Sequence, residues 1–235
     1  MTSAKIFVFE GVNKENFQDI FQNHDIVVDR IDEFDLDLRE TVENYREISD
    51  YDVLFTFQTD FKFTRELRGR VFPYPAYYRS DVWVYFTDRG NYVFIFDKDR
   101  PSRYISGRIR EVLSENGYNV EIERLEISNE ALLRIVSQDF VRINSSWWKR
   151  IGEDLRAAFL SGRLRDTEGE NELYRLIEER AGEITVANYL SRRLGFNISI
   201  SRKKGSIATG RREVDPSVIV NYFKEVVHPI LLQMT

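Results

Sequence analysis

The sequence predicts an α+β protein, with mixed and largely antiparallel sheets, packed helices and two lobes. Three observations carry this. Residues 82–113 hold two apolar runs, 82–86 and 92–96, around Thr87-Asp88-Arg89-Gly90-Asn91. Gly90 and Asn91 tolerate the positive φ of a tight turn, so the stretch reads as a hairpin. Residues 51–63 alternate over thirteen positions, and 196–209 carry a second hairpin pattern. Hairpin-linked strands interleaved with helices are the α+β pattern.

The central hairpin is apolar on both faces, as a strand in the middle of a covered sheet must be. A helix follows at once. Pro101 or Ser102 opens it, Ile105, Ile109, Val112 and Leu113 form its buried stripe, and Gly117 ends it. Upstream, 5–9 is a short apolar strand. Asn13 is the N-cap of a helix with Phe17, Ile20 and Phe21 inward and Glu15 in its first turn. Residues 25–29 form a strand, and 30–46 a half-exposed one. The acidic face of Asp29, Asp32, Asp35 and Asp37 lacks the glycine and closing glutamate of a calcium loop.

The 51–63 strand places Tyr51, Val53, Phe55, Phe57, Phe61 and Phe63 on one face. At 3.3 Å per residue it spans about 43 Å, enough to bend or to overrun its domain. Residues 65–79 then combine Arg65, Arg68, Arg70 and Arg79 with Phe72, Tyr74, Tyr77 and Tyr78. Pro73 and Pro75 sit among them. Two prolines in eight residues predict irregular structure here, a connector at 65–80 between an acidic lobe (1–64) and a larger lobe (81–235).

Farther on, 119–127 reads as a bulged strand, and Ser128 caps a short helix with Leu132, Leu133 and Val136. Residues 140–143 form a strand. From Ser145 or Ser146 a helix is expected, with Trp148, Ile151, Leu155 and Phe159 on one stripe, Trp147 facing elsewhere, and Gly162 at its end. A polar loop over 164–172, a helix over 172–180 and a strand over 184–190 follow. Asp215-Pro216 gives an N-cap with proline at the first helical position, opening an apolar helix that Pro229 kinks or ends. Ile230, Leu231 and Leu232 are either tucked into the core or docked on a partner.

Composition narrows the chemistry. The chain is 42% hydrophobic and 31% charged, with no Cys, so disulfides, thiolate metal sites and a cysteine nucleophile are excluded. No apolar run approaches the ~18 residues of a membrane helix, and the N-terminus enters a strand directly; a cytoplasmic protein is the default expectation. Net charge is −5, but residues 1–64 hold 15 Asp+Glu against 6 Lys+Arg. The acidic head and mildly basic body can meet different partners, although a solvated acidic face explains the head equally simply.

Two basic segments are the candidate nucleic-acid contacts. One is Arg65, Arg68, Arg70 and Arg79, among aromatics that suit stacked bases. The other is Arg202, Lys203, Lys204, Arg211 and Arg212, on a hairpin reaching for phosphates. Each also reads as a surface made soluble by its charges, and Tyr and Arg are equally at home in protein interfaces. Trp147 with Ile230, Leu231 and Leu232 are the candidate partner contacts. Asp97 and Asp99, at a strand end, form the one acidic pair with a shape known from magnesium-dependent phosphoryl chemistry; capping of the next helix is the simpler account. His24 and His228 have no companions in sequence and read as surface or capping residues. No phosphate loop, zinc spacing or nucleophile motif occurs, and no catalytic residue, metal or cofactor is assigned.

The serine-led Trp147-Trp148, the 198–210 hairpin and the Asp215-Pro216 helix resemble archaeal proteins of unassigned function over the last two-thirds of the chain. In size, mixed α/β character, long strand and scattered arginines the chain is also similar to the N-terminal and linker-region subunits that accompany truncated prokaryotic Argonautes. That resemblance implies a non-enzymatic scaffold that pairs with a catalytic partner and lines a guide–target channel. It transfers no site residue. The expectation is therefore an accessory subunit binding a protein partner and nucleic-acid backbone. The alternatives are a metal-dependent nuclease using Asp97 and Asp99, and a purely structural protein–protein module.

Overall fold

In the computed structural model, which describes residues 2–151, 155–166, 182–211 and 213–234, the chain is α+β and its registered strand ladders are antiparallel. It divides into two units, Phe7–Glu123 and Met1–Ile6 with Arg124–Thr235. The division thus falls at residues 6/7 and 123/124, not at a connector over 65–80.

The Phe7–Glu123 unit contains the end of β1 (Ser3–Phe9), α1 (Lys14–Phe21), β2 (Asp25–Ile31), β3 (Leu36–Ser49), β4 (Asp52–Leu67), β5 (Arg70–Tyr85), β6 (Asn91–Ile95) and α2 (Asp99–Glu115). Its core joins Phe9, Phe17, Phe21, Phe55, Val82, Val84, Val93, Ile105, Ile109 and Leu113. Asn13 caps α1 by accepting the Asn16 N–H at 2.8 Å, and Phe17 stacks on Phe21 at 4.3 Å between centroids. Each such side chain contributes about 1.5–3 kcal/mol by leaving water. Helix α2 buries the four predicted apolar residues. It starts earlier than expected, at Asp99 after Lys98, so neither Pro101 nor Ser102 opens it.

The expected irregular connector is instead the outer half of one hairpin. β4 and β5 pair without a register shift from Asp52↔Tyr85 to Leu67↔Arg70, with Arg68 and Gly69 at positive φ in the turn. Both prolines fit because of parity. The Phe96 N–H donates to the Asp81 carbonyl at 3.0 Å, so odd-numbered residues of β5 turn their backbone toward β6 and away from β4. Pro73 and Pro75 are odd, and β6 pairs only Val82–Tyr85. The missing N–H groups therefore face an empty edge and cost the β4 ladder nothing.

The other unit pairs the start of β1 with β12 (Ser206–Thr209), then β11 (Asn197–Ser201), β10 (Glu183–Ser191), β8 (Phe140–Ile151) and β9 (Leu155–Asp166) in turn. Ser128 caps α3 (Asn129–Asp139) through the Ala131 N–H, and Asp215 caps α4 (Pro216–Tyr222) through the Ser217 N–H. A π-helical turn, Phe223–Val227, leads into α5 (His228–Leu232), so Pro229 lies inside the first turn of a helix it neither breaks nor ends. The strand expected over 119–127 reduces to β7 (Glu123–Arg124). The helix expected over 172–180, with most of the 164–172 loop, lies outside the described residues.

The helix expected after Ser145 is absent: β8 and β9 form a hairpin there. Arg150 explains the misleading pattern. Its left-handed backbone, φ 55°, shifts the alternation by one residue, so Trp148 and Ile151 both point inward although three apart. That spacing imitates a helical stripe. Phe159, expected on the same stripe, is half-exposed.

Candidate nucleic-acid interface

The ribbon formed by the outer halves of β4 and β5 has two faces set by its register. One carries odd residues of β4 and even residues of β5. Along it the opposed pairs are Phe61↔Ala76, Phe63↔Tyr74, Arg65↔Phe72 and Leu67↔Arg70. At 3.3 Å per residue this face extends about 20 Å. It is anchored at its inner end, where Phe61, Tyr78 and Tyr104 of α2 pack with centroids 4.8–5.4 Å apart. Beyond Tyr104 nothing in the unit covers it. Phe63, Leu67, Phe72 and Tyr74 are 39–50% exposed.

The opposite face is treated differently. β2 lies near both β4 and β5, and the β2–β3 hairpin covers part of this face, while Val71 and Tyr77 on it stay 65% and 64% exposed. The Arg39 N–H donates to Asp60 there, and Pro73 is buried.

Arg65, Arg68 and Arg70 form no ion pair with any described residue, and only Glu66 adds a carboxylate to this end of the ribbon. Arg46, Arg89 and Arg100 likewise form no ion pair with a described residue, whereas the remaining arginines of the unit are engaged. Arg79, on the opposite face, pairs with Glu43 at 2.8 Å; Arg103 pairs with Asp99, Arg108 with Glu40 and Glu111, and Arg110 with Glu121. Arg30 answers Asp32, Asp35 and Asp37, so one guanidinium offsets part of the charge of the acidic strand face. The free guanidiniums and the uncovered aromatics are thus on the same stretch of backbone, Arg65 and Arg70 on the same face as Phe63, Phe72 and Tyr74.

No family model matches this chain, and no curated protein matches it significantly.

The second basic segment, in the other unit, is a hairpin as expected, but its turn is packed inward. The Ile6 N–H donates to Gly205 O at 2.7 Å and the Arg202 N–H to Thr185 O at 2.9 Å. Arg202, 13% exposed, is held by Glu183 at 2.9 Å, and Arg150 shares that carboxylate. The Arg202 hydrogen bond and the neighbouring Arg150 keep the Glu183 carboxyl below its usual range despite partial desolvation. Arg202 therefore offers no free charge. Lys203 and Lys204 remain at the surface or edge of the turn, Arg211 lies over the Phe196 ring at 4.9 Å, and Arg212 is outside the described residues.

Of the expected partner contacts, Trp147 is half-exposed and packs on Phe159, its cross-strand neighbour, at 4.7 Å. Ile230 is core, 2% exposed, and Leu231 and Leu232 are half-buried, so the C-terminal segment is tucked in. Asp97 accepts the Ser80 hydroxyl and the Lys98 N–H, both at 2.6 Å, while Asp99 pairs with Arg103 within α2's first turn. Among the described residues no cluster of three His, Asp or Glu side chains is placed to hold a metal ion.

Both histidines depart from the surface reading. The His24 side chain is 8% exposed with its Nε2 3.0 Å from Glu40, and His228 is 7% exposed. Sequence reasoning missed Glu40 altogether, because nothing in an alternating acidic strand marks which carboxylate turns inward. It also missed the buried chain of hydroxyls in the other unit, where Tyr222 donates to Asp139 at 2.9 Å and lies 2.5 Å from the Tyr189 hydroxyl.

Proposed function

We propose that this chain is a non-enzymatic accessory subunit that binds single-stranded nucleic acid along the open face of the β4–β5 ribbon and works with a protein partner. The single observation that carries the reading is the juxtaposition of unpaired Arg65 and Arg70 with half-exposed Phe63, Phe72 and Tyr74 on one face, with Arg68 at the tip. Bases stack on such rings whatever their sequence, and guanidiniums take the phosphates between them. The half-exposed Trp147–Phe159 pair supports a protein contact in the other unit, and the resemblance to Argonaute-associated subunits suggests the kind of partner.

The test is fluorescence anisotropy with labelled oligonucleotides over a salt series. Binding should weaken steeply with salt. Replacing Arg65, Arg68 and Arg70 together by Gln should lower the log–log slope by about 2, at ~0.7 per lost phosphate contact on a single strand. Binding that is absent, or that keeps its slope in the triple variant, refutes the reading.

A further inference from the structure

The two long edges of the ribbon are unlike. On the β5 edge Pro73 and Pro75 present ring nitrogens where a docking strand needs donors, which blocks pairing. On the β4 edge there is no such block. β3 pairs β4 only as far as Thr59, and residues 62–67 beyond it are all exposed. Parity decides which groups look outward. Even-numbered residues of β5 face β4 and oppose its odd residues, so the even residues of β4 face away. Lys62, Thr64 and Glu66 therefore turn their N–H and C=O groups to an empty edge.

An edge of this kind is a template for another strand, and this one matches itself. A two-fold axis normal to the ribbon and centred on Thr64 sets Lys62 opposite Glu66 of a second copy, and Glu66 opposite the second copy's Lys62. It sets Phe61 opposite Leu67, and Phe63 opposite Arg65, where a guanidinium can lie over a ring. Neighbouring registers fail. Centring on Phe63 opposes Asp60 to Glu66, centring on Lys62 opposes two ammoniums, and centring on Arg65 opposes two guanidiniums. In the Thr64 register the residues whose backbone groups look outward are also the ones that meet.

We infer that this chain forms an isologous homodimer by antiparallel pairing of the 62–67 edge of β4, centred on Thr64. The contact is carried by the edge backbone and by Lys62 and Glu66; it engages Phe63 and Arg65 at the margin of the aromatic face but leaves Arg70, Phe72 and Tyr74 open, so it is tested independently of nucleic-acid binding.

Sedimentation equilibrium of the full chain over a micromolar concentration range tests it. A concentration-dependent dimer is expected. Lys62→Glu or Glu66→Lys alone places like charges opposite one another at two points and should weaken the dimer about tenfold or more. An equimolar mixture of the two single variants should restore it, because each altered charge then meets its complement. Thr64→Pro removes the central donors without touching the β4–β5 ladder and should leave monomer; circular dichroism checks that it folds, and the charge pair decides if it does not. A chain monomeric at every concentration overturns the inference. So does a dimer indifferent to the charge reversals, or a mixture that stays monomeric.

Discussion

Glu40 of β3, with no exposed side-chain surface, accepts the Arg108 Nε–H from α2 at 2.6 Å, and its other oxygen lies 3.0 Å from His24 Nε2. The three residues come from β3, α2 and the segment after α1, so the cluster ties helices to sheet inside the Phe7–Glu123 unit. Burial alone would raise the Glu40 pKa. The hydrogen bonds from His24 and Arg108 outweigh it, and the carboxyl is held below 4.5.

Arg108→Ala should therefore be costly. It leaves a carboxylate buried with its main partner gone, a loss of about 3–5 kcal/mol. Urea denaturation at pH 7 measures it, and a loss under ~1 kcal/mol would mean the site rehydrates.

The same cluster sets an acid limit. A carboxylate whose folded pKa lies below its unfolded value stabilises the fold fully above the unfolded value, here 4.5. That contribution is lost as pH falls from 4.5 through the folded value, because the unfolded chain then binds the proton more readily. Denaturation midpoints taken from pH 6 to pH 3 should fall more steeply for the wild type than for Glu40→Gln. Parallel profiles would contradict this.

Phe72 is opposite Arg65 and 39% exposed. Phe72→Ala should cost about 1–3 kcal/mol of single-strand binding, the value of one stacked base, with stability changed by little. Phe55→Ala, at 1% exposure in the same strand pair, should do the reverse: a folding loss of roughly 3–5 kcal/mol. Anisotropy and urea denaturation on the two variants separate the outer ribbon from its buried root.

The chain of hydroxyls in the other unit gives a further prediction. Tyr222→Phe removes the donor to Asp139 and the neighbour of Tyr189, leaving buried acceptors unsatisfied at a cost of about 1–3 kcal/mol. Burial also lifts both tyrosines well above the usual phenol range. Neither should ionise in a spectrophotometric titration of the folded protein that stops short of alkaline unfolding, and two early-titrating buried phenols would refute the arrangement.

Local chemistry was readable in the sequence wherever one residue decides the outcome. Asn13, Ser128 and Asp215 cap as their side chains dictate, and Ile105, Ile109, Val112 and Leu113 are buried at their helical spacing. Reading failed where a long-range partner decides. Pro73 and Pro75 look disruptive until β6 is seen to stop at Ile95, the partner of Val82, and leave their edge empty. Trp148 and Ile151 look helical until Arg150 is seen in a left-handed conformation. The candidate arginines were all visible as residues. Which of them are free depends on Glu43 and Glu183, brought from distant segments, and no spacing rule announces that.

Gly205 makes the point as a prediction, because its neighbours are just as distant in sequence. It sits at φ +45° in the β11–β12 turn, and an added Cβ would lie 2.4 Å from the Leu125 carbonyl oxygen and 3.0 Å from that of Ile6. Both obstacles are backbone, so neither can swing aside. Gly69, in the ribbon turn, has φ +76° and nothing within 4 Å of the same position. Gly69→Ala should thus cost only the left-handed conformation, about 1–2 kcal/mol. Gly205→Ala should cost that and a further ~1–3 kcal/mol of overpacking, since Gly205 O also accepts the Ile6 N–H and cannot retreat without breaking that bond. Urea denaturation of the two variants side by side checks the difference; equal losses would show that the turn is not clamped between β1 and the 124–127 segment.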